Sequence, residues 1–250
     1  MNDDFTGIRA LITGAATGIG AATAAELASR GARVACLDLT APDVQEPFYG
    51  VAADVTDDAS VRAAVEDVVR TFGGLDVVVN NAGVGAVGSI EAHGDDEWFR
   101  LFDVNCMGMV RVSRAALPHL RQSDHASIVN VGSVAAWLGL VNRAAYCASK
   151  GAVHALTLAM ATDHLVDNIR VNCVHPGTAD TQWVRRLLAS TDDPAREEAN
   201  LNARQPIGRL VQPREIAHAI AYLASPLASA TTGVALGVDG GMHSLRPPAQ

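Results

Sequence analysis

The stretch Thr13-Gly-Ala-Ala-Thr-Gly-Ile-Gly20 constrains the fold of this chain most, because it separates a short apolar run from an alanine-rich one. The apolar run predicts a buried strand and the alanine-rich run predicts a helix. Gly14 allows a tight turn, Gly18 lets a pyrophosphate approach the backbone, and Gly20 allows close contact between helix and strand. A phosphate there would meet the free amides of a helix N-terminus. The stretch therefore predicts the first βα unit of a dinucleotide-binding sheet.

Strand and helix patterns alternate along the rest of the chain. The predicted strands are residues 9–13, 33–37, 51–53, 76–79, 127–131, 169–174 and 233–238. The predicted helices are residues 21–30, 59–72, 95–121, 145–166 and 213–224. This alternation predicts an α/β fold with a doubly wound parallel sheet, and a length of 250 residues fits one domain.

The segment 178–209 is the least regular part of the sequence. It is long and charged, and Pro194 and Pro206 interrupt it. Loops of this length inside a compact domain are usually functional, so we expect a lid over the substrate.

Charge and cysteine usage exclude several classes of function. A formal net charge of −8, without a run of Lys or Arg, argues against a nucleic acid or an anionic membrane as partner. The four cysteines are scattered without metal-ligand spacing, which predicts reduced thiols and no metal site. No apolar run reaches membrane-spanning length, and the acidic N-terminus is unlike a signal peptide. We therefore expect a cytoplasmic protein.

Tyr146 and Lys150 stand four residues apart in a predicted helix, so their side chains would lie one above the other. An ordinary phenol has a pKa of about 10, too high for a base near neutrality. A neighbouring ammonium group would lower that pKa and let the phenolate accept a proton from an alcohol. Ser133 follows a buried strand, at the end where parallel sheets bind ligands. A chance pattern on a surface helix is the alternative.

Asp38 ends the second predicted strand, about twenty residues after the glycines. A carboxylate there can accept hydrogen bonds from the ribose of NAD and would repel the 2′-phosphate of NADP. No cationic side chain in the glycine-rich turn could bind that phosphate, and Arg33 lies at the wrong end of the strand. The sequence favours NAD, and a solvated strand end is the alternative for Asp38.

Motifs along nearly the whole chain resemble the short-chain dehydrogenase/reductase family. They are TGAATGIG at 13–20, Asp54-Val55, Asn80-Asn-Ala-Gly83, Asn105, Ser133, Tyr146, Lys150, Pro176-Gly177-Thr178 and Val238-Asp-Gly-Gly241. The resemblance implies a single-domain, three-layered Rossmann-type fold, usually in a homotetramer. It also implies hydride transfer between NAD(P) and a carbonyl or alcohol.

The resemblance implies Tyr146 as general acid/base, Ser133 as holder of the substrate oxygen, and Lys150 as a contact of the nicotinamide ribose. Asn105 would anchor a proton-relay water. The implied cofactor contacts are Gly14, Thr17, Gly18, Ile19, Gly20, Asp38, Asp54, Val55, Asn80, Ala82, Gly83, Tyr146, Lys150, Pro176, Gly177 and Thr178. Within that set Asp54 would meet the adenine, Asn80 the adenosine ribose region and Thr178 the carboxamide.

One position departs from the resemblance. His175 stands where the family most often has Asn before Pro-Gly. We expect this residue to shape the backbone beside the nicotinamide, and a second catalytic imidazole is the alternative.

Arg143 precedes the tyrosine, and Arg204 lies near the end of the predicted lid. Two guanidinium groups near one tyrosine suggest a substrate carboxylate, with structural ion pairs as the alternative. These segments also resemble a subgroup that includes 2-keto-3-deoxy-L-fuconate and rhamnonate dehydrogenases and cytosolic 3-hydroxybutyrate dehydrogenases. The expected substrate contacts are Ser133, Arg143, Tyr146, Gln182, Arg185 and Arg204. The sequence therefore predicts oxidation of a small hydroxy acid, most specifically a 2-keto-3-deoxy-L-sugar acid.

Three alternatives to that function remain from the sequence. A 3-hydroxybutyrate dehydrogenase would share the small acidic substrate. A 3-oxoacyl-carrier-protein reductase would prefer NADPH and need a basic surface for its carrier. A dinucleotide-binding regulatory protein would bind the cofactor without turnover.

Overall fold

A seven-stranded parallel sheet forms the centre of the computed structural model, which describes residues 3–246. Its strands are β1 (Arg9–Thr13), β2 (Arg33–Asp38), β3 (Phe48–Ala52), β4 (Val77–Asn80), β5 (Ser127–Val131), β6 (Arg170–Pro176) and β7 (Ala235–Val238). The spatial order is β3-β2-β1-β4-β5-β6-β7. The chain order reverses between β1 and β4, and ligands of open α/β sheets bind at such a switch point. The prediction of a doubly wound Rossmann-type sheet in one domain is confirmed.

Eight α-helices accompany the sheet in the described part of the chain. They are α1 (Gly18–Ser29), α2 (Asp58–Phe72), α3 (Asp95–Phe102), α4 (Gly108–Leu120), α5 (Ala144–Asp163), α6 (Gln182–Ala189), α7 (Pro194–Ala203) and α8 (Pro213–Ala224). Helices α1 and α8 pack against each other on one face of the sheet, whereas α2 and α4 pack together on the other. The result is three layers.

Alternating side chains of each strand fill two separate cores. On β1, Ala10 and Ile12 join the core beneath α1 and α8, while Leu11 joins the core beneath α2 and α4. Full burial of a Leu or Ile side chain contributes roughly 1.5–3 kcal/mol. Because both faces are covered, the strands are continuous apolar runs rather than alternating ones.

Most predicted ranges shift by up to three residues at their ends, and two predicted segments differ in kind. The predicted helix 95–121 is interrupted by a π-helical segment, Asp103–Met107, between α3 and α4. The predicted irregular segment 178–209 contains two helices, α6 and α7, whose apolar residues form a small core of their own. Strand β3 begins at Phe48, because its pairing with β2 extends from Val34 to Asp38.

All four cysteines lie in the described part of the chain and are free thiols. Within residues 3–246, no helix has both the length and the apolar character needed to cross a membrane.

Candidate active site

The glycine-rich turn joins β1 to α1 at the switch point of the sheet. Gly14 has φ +64° and Gly18 has φ +60°, in the left-handed region that favours glycine. A Cβ on Gly20 would lie 2.1 Å from the Gly14 carbonyl oxygen, so only glycine fits there. Thr17 precedes α1 without capping it through its side chain. The first amides of α1 are therefore available to a phosphate, as predicted. Ile19 packs into the core and can offer only its backbone.

Asn81 fastens the loop after β4 to this turn. Its side-chain amide donates to the Thr13 carbonyl at 2.9 Å and to the Gly14 carbonyl at 3.0 Å. In return, the Thr13 hydroxyl accepts the backbone N–H groups of Asn81 and Ala82 at 3.0 and 2.9 Å. The sequence prediction omitted Thr13 and Asn81. Their position beside two glycine motifs was the only signal that could have identified them.

Asp38 lies at the end of β2 and faces the glycine-rich turn. One carboxylate oxygen accepts the Ala16 N–H at 2.9 Å and the other accepts the Leu39 N–H at 2.9 Å. Asp38 has no cationic side-chain partner among residues 3–246. Arg33 lies over the Phe72 ring at the opposite end of β2, 4.4 Å from the ring centroid. The carboxylate therefore defines the charge at this corner of the turn.

Two residues that were predicted to contact the cofactor have side chains that pack inside the protein. Asn80 is buried and donates to the Asn130 side-chain oxygen at 2.8 Å and to the Ser113 hydroxyl at 3.0 Å. The Val55 side chain packs towards Gly108 on α4. The Asn80 side chain thus belongs to the sheet network, and the contact of Asn80 with the adenosine ribose region stays a prediction. Either residue could reach a cofactor only through its backbone.

Asp54 is exposed and held in a local turn. Its carboxylate accepts the backbone N–H of Thr56 at 2.8 Å and the hydroxyl of the same residue at 2.7 Å. These hydrogen bonds lower the pKa of Asp54. The group is ionised and accessible, and its contact with an adenine stays a prediction.

Ser133, Tyr146 and Lys150 converge at the carboxyl end of β5. Ser133 follows that strand, and its hydroxyl accepts the Ala135 N–H at 3.1 Å. Tyr146 lies in the first turn of α5, and Lys150 lies one turn later, as the spacing predicted. The Lys150 ammonium nitrogen lies 5.9 Å from the centre of the Tyr146 ring and donates to the Val131 carbonyl at 3.0 Å. The three side chains thus share one site.

Burial dominates the ionisation of this site. Burial raises the pKa of Tyr146, while the Ser133 hydroxyl and the positive charge of Arg143 act in the opposite direction. Burial also lowers the pKa of Lys150 to about 8. No contribution of Lys150 to the pKa of Tyr146 is resolved in this structure, where the lowering influences are Ser133 and Arg143. The lowering of the tyrosine pKa by Lys150 stays a prediction.

Asn105 connects the catalytic helix α5 to the loop after β4. Its side-chain oxygen accepts the Val84 N–H at 2.8 Å, and its amide donates to the Val84 carbonyl and to the Ser149 hydroxyl, each at 3.0 Å. A Cβ on Gly83 would lie 3.2 Å from the Asn105 oxygen and 3.5 Å from the Lys150 nitrogen. Both polar ends of the Asn105 side chain are thus engaged, and its anchoring of a water stays a prediction. Ser149 was missed because its contact is formed only in the fold.

The loop after β6 runs across the mouth of the glycine-rich turn. The N–H of Gly177, which follows Pro176, donates to the Val238 carbonyl at 3.0 Å, and the Thr178 carbonyl accepts the Val211 N–H at 3.0 Å. The methyl group of Thr181 lies 3.4 Å from the position of a Cβ on Gly18. This path is compatible with the predicted nicotinamide contacts of Pro176, Gly177 and Thr178.

His175 is fully buried at the end of β6, with its ring behind Ser133 rather than beside Tyr146. Its Nδ1 accepts the Ser133 N–H at 3.1 Å. This placement does not support the alternative of a second catalytic imidazole, because the ring has no access to a substrate.

The predicted substrate contacts are not equally well placed. Arg143 is partly buried and donates to the Ala86 carbonyl at 2.9 Å. Burial lowers its pKa, the phenol of Tyr146 acts in the opposite direction, and the positive charge of Arg204 lowers it further. Arg204 is exposed and only 3.8 Å from Glu197, a loose ion pair. Arg143 is thus near enough to both Tyr146 and Arg204 for their charges to affect its pKa.

Arg185 and Gln182 lie on the exposed side of α6. Arg185 is ion-paired with Asp180 at 2.7 Å, and 62% of its side chain is exposed. Arg185 is therefore held by a carboxylate five residues earlier, and its contact with a substrate stays a prediction. Trp183, between them, packs its ring against Gly85 in the loop after β4. Helix α6 thus closes over that loop through an aromatic ring.

Comparison with known proteins agrees with this geometry. The family model described as enoyl-(acyl carrier protein) reductase matches residues 14–243. Inactive 2-(S)-hydroxypropyl-CoM dehydrogenase 2 of Xanthobacter autotrophicus is 42% identical over 212 residues, which cover 84% of this chain and 92% of the relative. Cis-4-hydroxycyclohexanecarboxylate dehydrogenase of Sinomonas cyclohexanicum is 41% identical over 252 residues, covering 96% and 98% respectively.

A solved structure also matches nearly the whole chain. The 3-ketoacyl-(acyl-carrier-protein) reductase of Brucella melitensis, complexed with NADH, has a TM-score of 0.87 and 35% identity, covering 96% of this chain and 99% of that one. The matches extend over the glycine-rich turn, the sheet and the tyrosine–lysine helix. The chain therefore belongs to the short-chain dehydrogenase/reductase family of oxidoreductases, whose members bind a nicotinamide dinucleotide.

Proposed function

We propose that this protein is an NAD-dependent dehydrogenase that oxidises a secondary alcohol of a small hydroxy acid. The observation that carries the proposal is the convergence of Ser133, Tyr146 and Lys150 beside a glycine-rich turn bordered by Asp38. A group that can accept a proton thus lies at the end of the sheet where family members bind their cofactor.

The residues of the site have distinct roles in this reaction. The bound nicotinamide supplies the hydride acceptor. Burial disfavours the phenolate of Tyr146, and the Ser133 hydroxyl and the charge of Arg143 favour it. In its ionised form Tyr146 would accept the hydroxyl proton of the alcohol while the carbinol hydride passes to the nicotinamide. Ser133 holds the substrate oxygen, and its fixed strand-end position orients that oxygen towards the tyrosine. Lys150, held by the Val131 carbonyl, would contact the nicotinamide ribose, and Asn105 maintains the loop after β4 beside it.

Asp38 supports NAD over NADP. Two backbone N–H groups fix its carboxylate at the edge of the turn, with oxygen lone pairs left for ribose hydroxyls. The same negative charge opposes a 2′-phosphate. The Brucella relative, complexed with NADH, is consistent with this assignment.

Arg143 and Arg204 support a carboxylate on the substrate. Arg143 lies at the start of the helix that carries Tyr146, and a single carbonyl bond leaves most of its guanidinium donors free. Arg204 lies at the end of α7, within the segment 178–209 that we propose as a lid. The Sinomonas relative is named for a hydroxylated carboxylate. Within this class we propose a 2-keto-3-deoxy-L-sugar acid as the specific substrate.

The carboxylate assignment is tested by a panel of hydroxy acids and matched neutral alcohols, assayed with NAD by absorbance of the reduced cofactor. Arg143→Ala should lower kcat/KM for an acid by roughly 10- to 150-fold, since a charge-assisted contact is worth about 1.5–3 kcal/mol. Arg204→Ala should act in the same direction. Arg186→Ala is the matched control, because that side chain is exposed on α6 and is not a predicted substrate contact.

A neutral alcohol of similar size should lose little activity in either variant. Equal losses for acid and neutral alcohol would make Arg143 a structural residue and remove the argument for a carboxylate.

The same panel separates the rival functions. A 3-hydroxybutyrate dehydrogenase would prefer the four-carbon acid, and an acyl-carrier-protein reductase would prefer a 3-oxoacyl thioester with NADPH. One relative is named as an inactive dehydrogenase, so a non-enzymatic dinucleotide-binding protein is a third outcome. Binding of NADH without turnover of any alcohol or ketone would support that outcome. We also propose a cytoplasmic homotetramer, with residues 238–242 at a subunit contact.

A further inference from the structure

His175 touches the backbone of the proposed catalytic serine from behind. Its Nδ1 accepts the Ser133 N–H at 3.1 Å. A Cβ on Gly132 would lie 2.2 Å from the same nitrogen, so the ring is seated directly against the strand end. On the other side, the Ser133 hydroxyl accepts the Ala135 N–H. The Ser133 carbonyl also accepts the Ala136 N–H at 2.9 Å, so Ser133 is held by three hydrogen bonds.

The direction of the first hydrogen bond fixes the tautomer of His175. Because Nδ1 accepts an N–H, a neutral ring must carry its proton on Nε2. The Nε2 atom lies 3.0 Å from Nδ1 of His154 and can donate to it. A directed chain of hydrogen bonds thus runs from Ser133 through His175 to His154.

His154 belongs to the helix that carries the proposed catalytic base. It follows Tyr146 by eight residues and Lys150 by four, so all three lie along one side of α5. Helix α5 therefore supplies both the base and the support for the serine on the neighbouring strand. Relative placement of base and serine depends on this contact between α5 and β6.

The surroundings of His175 favour its neutral form. The Trp137 ring meets it edge-on, with centroids 4.3 Å apart. The titratable groups that face it are Cys173 on β6, Lys150 and His154 on α5, and His243 and Asp239 after β7. Burial lowers the pKa of His175 to about 4; the charge of Lys150 acts in the same direction and that of Asp239 opposes it.

We propose that His175, with His154 behind it, is a positioning residue that fixes Ser133 for catalysis by accepting its backbone N–H. This inference rests on the proposed role of Ser133 in binding the substrate oxygen. A protonated His175 would present a donor to the Ser133 N–H, so only the neutral ring performs this task. Position 175 thereby affects turnover without touching the substrate.

His154, Cys173 and His175 together form a cluster of side chains that could bind a metal ion. Ligand atoms of His154, Cys173 and His175 all lie within 4.8 Å of one another. A cation on Nε2 of His175 would force the ring proton onto Nδ1, where it would oppose the Ser133 N–H. The cluster is therefore a hydrogen-bonded pair of histidines beside a thiol, and we expect purified protein to contain no stoichiometric metal.

Two substitutions separate positioning from general stability. His175→Asn places a side-chain oxygen where Nδ1 accepts, so kcat should stay within about twofold of wild type. His175→Leu leaves the buried Ser133 N–H without an acceptor, and kcat should fall about 10- to 100-fold while the Kd for NADH is unchanged. Cys173→Ala, on the same strand, is the matched control and should resemble wild type.

A double-mutant cycle with Ser133→Ala links the effect to the serine. In the Ser133→Ala background, His175→Leu should lower kcat little further, because the hydroxyl that His175 positions has already been removed. The proposal would be overturned if the losses of kcat in the double mutant were additive. It would also be overturned if His175→Asn lost as much kcat as His175→Leu, or if Cys173→Ala lost kcat.

Nuclear magnetic resonance of the imidazole nitrogens tests the inference without turnover. We expect His175 with a proton on Nε2 only, and no titration between pH 5 and 8. A proton on Nδ1, titration near the ordinary histidine pKa, or one metal ion per chain by elemental analysis would refute it. If no alcohol is oxidised, the proposed function fails, while these spectra still decide the position of the proton.

Discussion

Replacing Asp38 by Asn should remove most of the preference for NAD over NADP. The carboxylate is fixed at the corner of the turn by the N–H groups of Ala16 and Leu39. A 2′-phosphate carries about 1.5 to 2 negative charges. At about 4 Å and with water-like screening, each unit charge costs about 1 kcal/mol. A penalty of about 2 kcal/mol corresponds to roughly 30-fold.

The assay compares kcat/KM for NAD and NADP in wild type and Asp38→Asn with the same substrate. Wild type should favour NAD at least about tenfold. Asp43→Asn is the matched control, because that exposed residue lies a few positions further along and removes the same charge. Adding Leu39→Arg to the Asp38 variant should then favour NADP, since Leu39 is 70% exposed and a guanidinium there can bind phosphate.

An unchanged cofactor ratio in Asp38→Asn would refute the role of this carboxylate. If Asp43→Asn changed the ratio of kcat/KM for NAD and NADP as much as Asp38→Asn does, the preference for NAD would come from the overall charge of the protein. If no substrate is known, the Kd values for the two reduced cofactors replace kcat/KM.

The remaining predictions concern chemistry, pH and assembly. Tyr146→Phe should lower turnover by about 10²–10⁴-fold with NADH binding retained, measured by cofactor fluorescence, and a loss below tenfold would exclude Tyr146 as the base. Because the pKa of His175 falls from its ordinary value of 6.5 to about 4 on folding, its neutral form stabilises the protein above pH 6.5. That contribution, up to about 3 kcal/mol, should disappear as the pH falls from 6.5 to 4, and denaturant titration of His175→Asn should show a flatter pH profile over that range. Light scattering at micromolar concentration should give the mass of a tetramer, whereas a monomer would contradict the proposed assembly.

Strands and long helices were predictable because local patterns report burial directly. Strands β1 and β5 and helix α8 agree with their predicted ranges residue for residue. In each case, an apolar run or a 3.6-residue period is bounded by turn residues. The glycine-rich turn was also readable, since steric exclusion at Gly20 acts within one short segment.

Features created by tertiary contacts were not readable from the sequence. The π-helical segment at 103–107 coincides with the bonds from Asn105 to the loop after β4 and to Ser149, which are distant in sequence. Charged residues and prolines in the segment 178–209 hid the helical pattern of α6 and α7, whose apolar residues meet only after folding. The ion pair of Arg185 with Asp180 was likewise not predicted, because the pairing depends on how the start of α6 packs.

The small core of α6 and α7, formed by Val184, Leu188, Leu201 and Leu210, is distinct from the two cores of the sheet. A segment with its own interior can accumulate substitutions, or be exchanged as a block, while the packing around the strands stays intact. Evolution of new substrate preferences can therefore proceed in this segment independently of the tyrosine, lysine and glycine motifs. Transplanting residues 182–210, which contain the whole of this small core, is accordingly a more economical route to a new specificity than redesigning the sheet end.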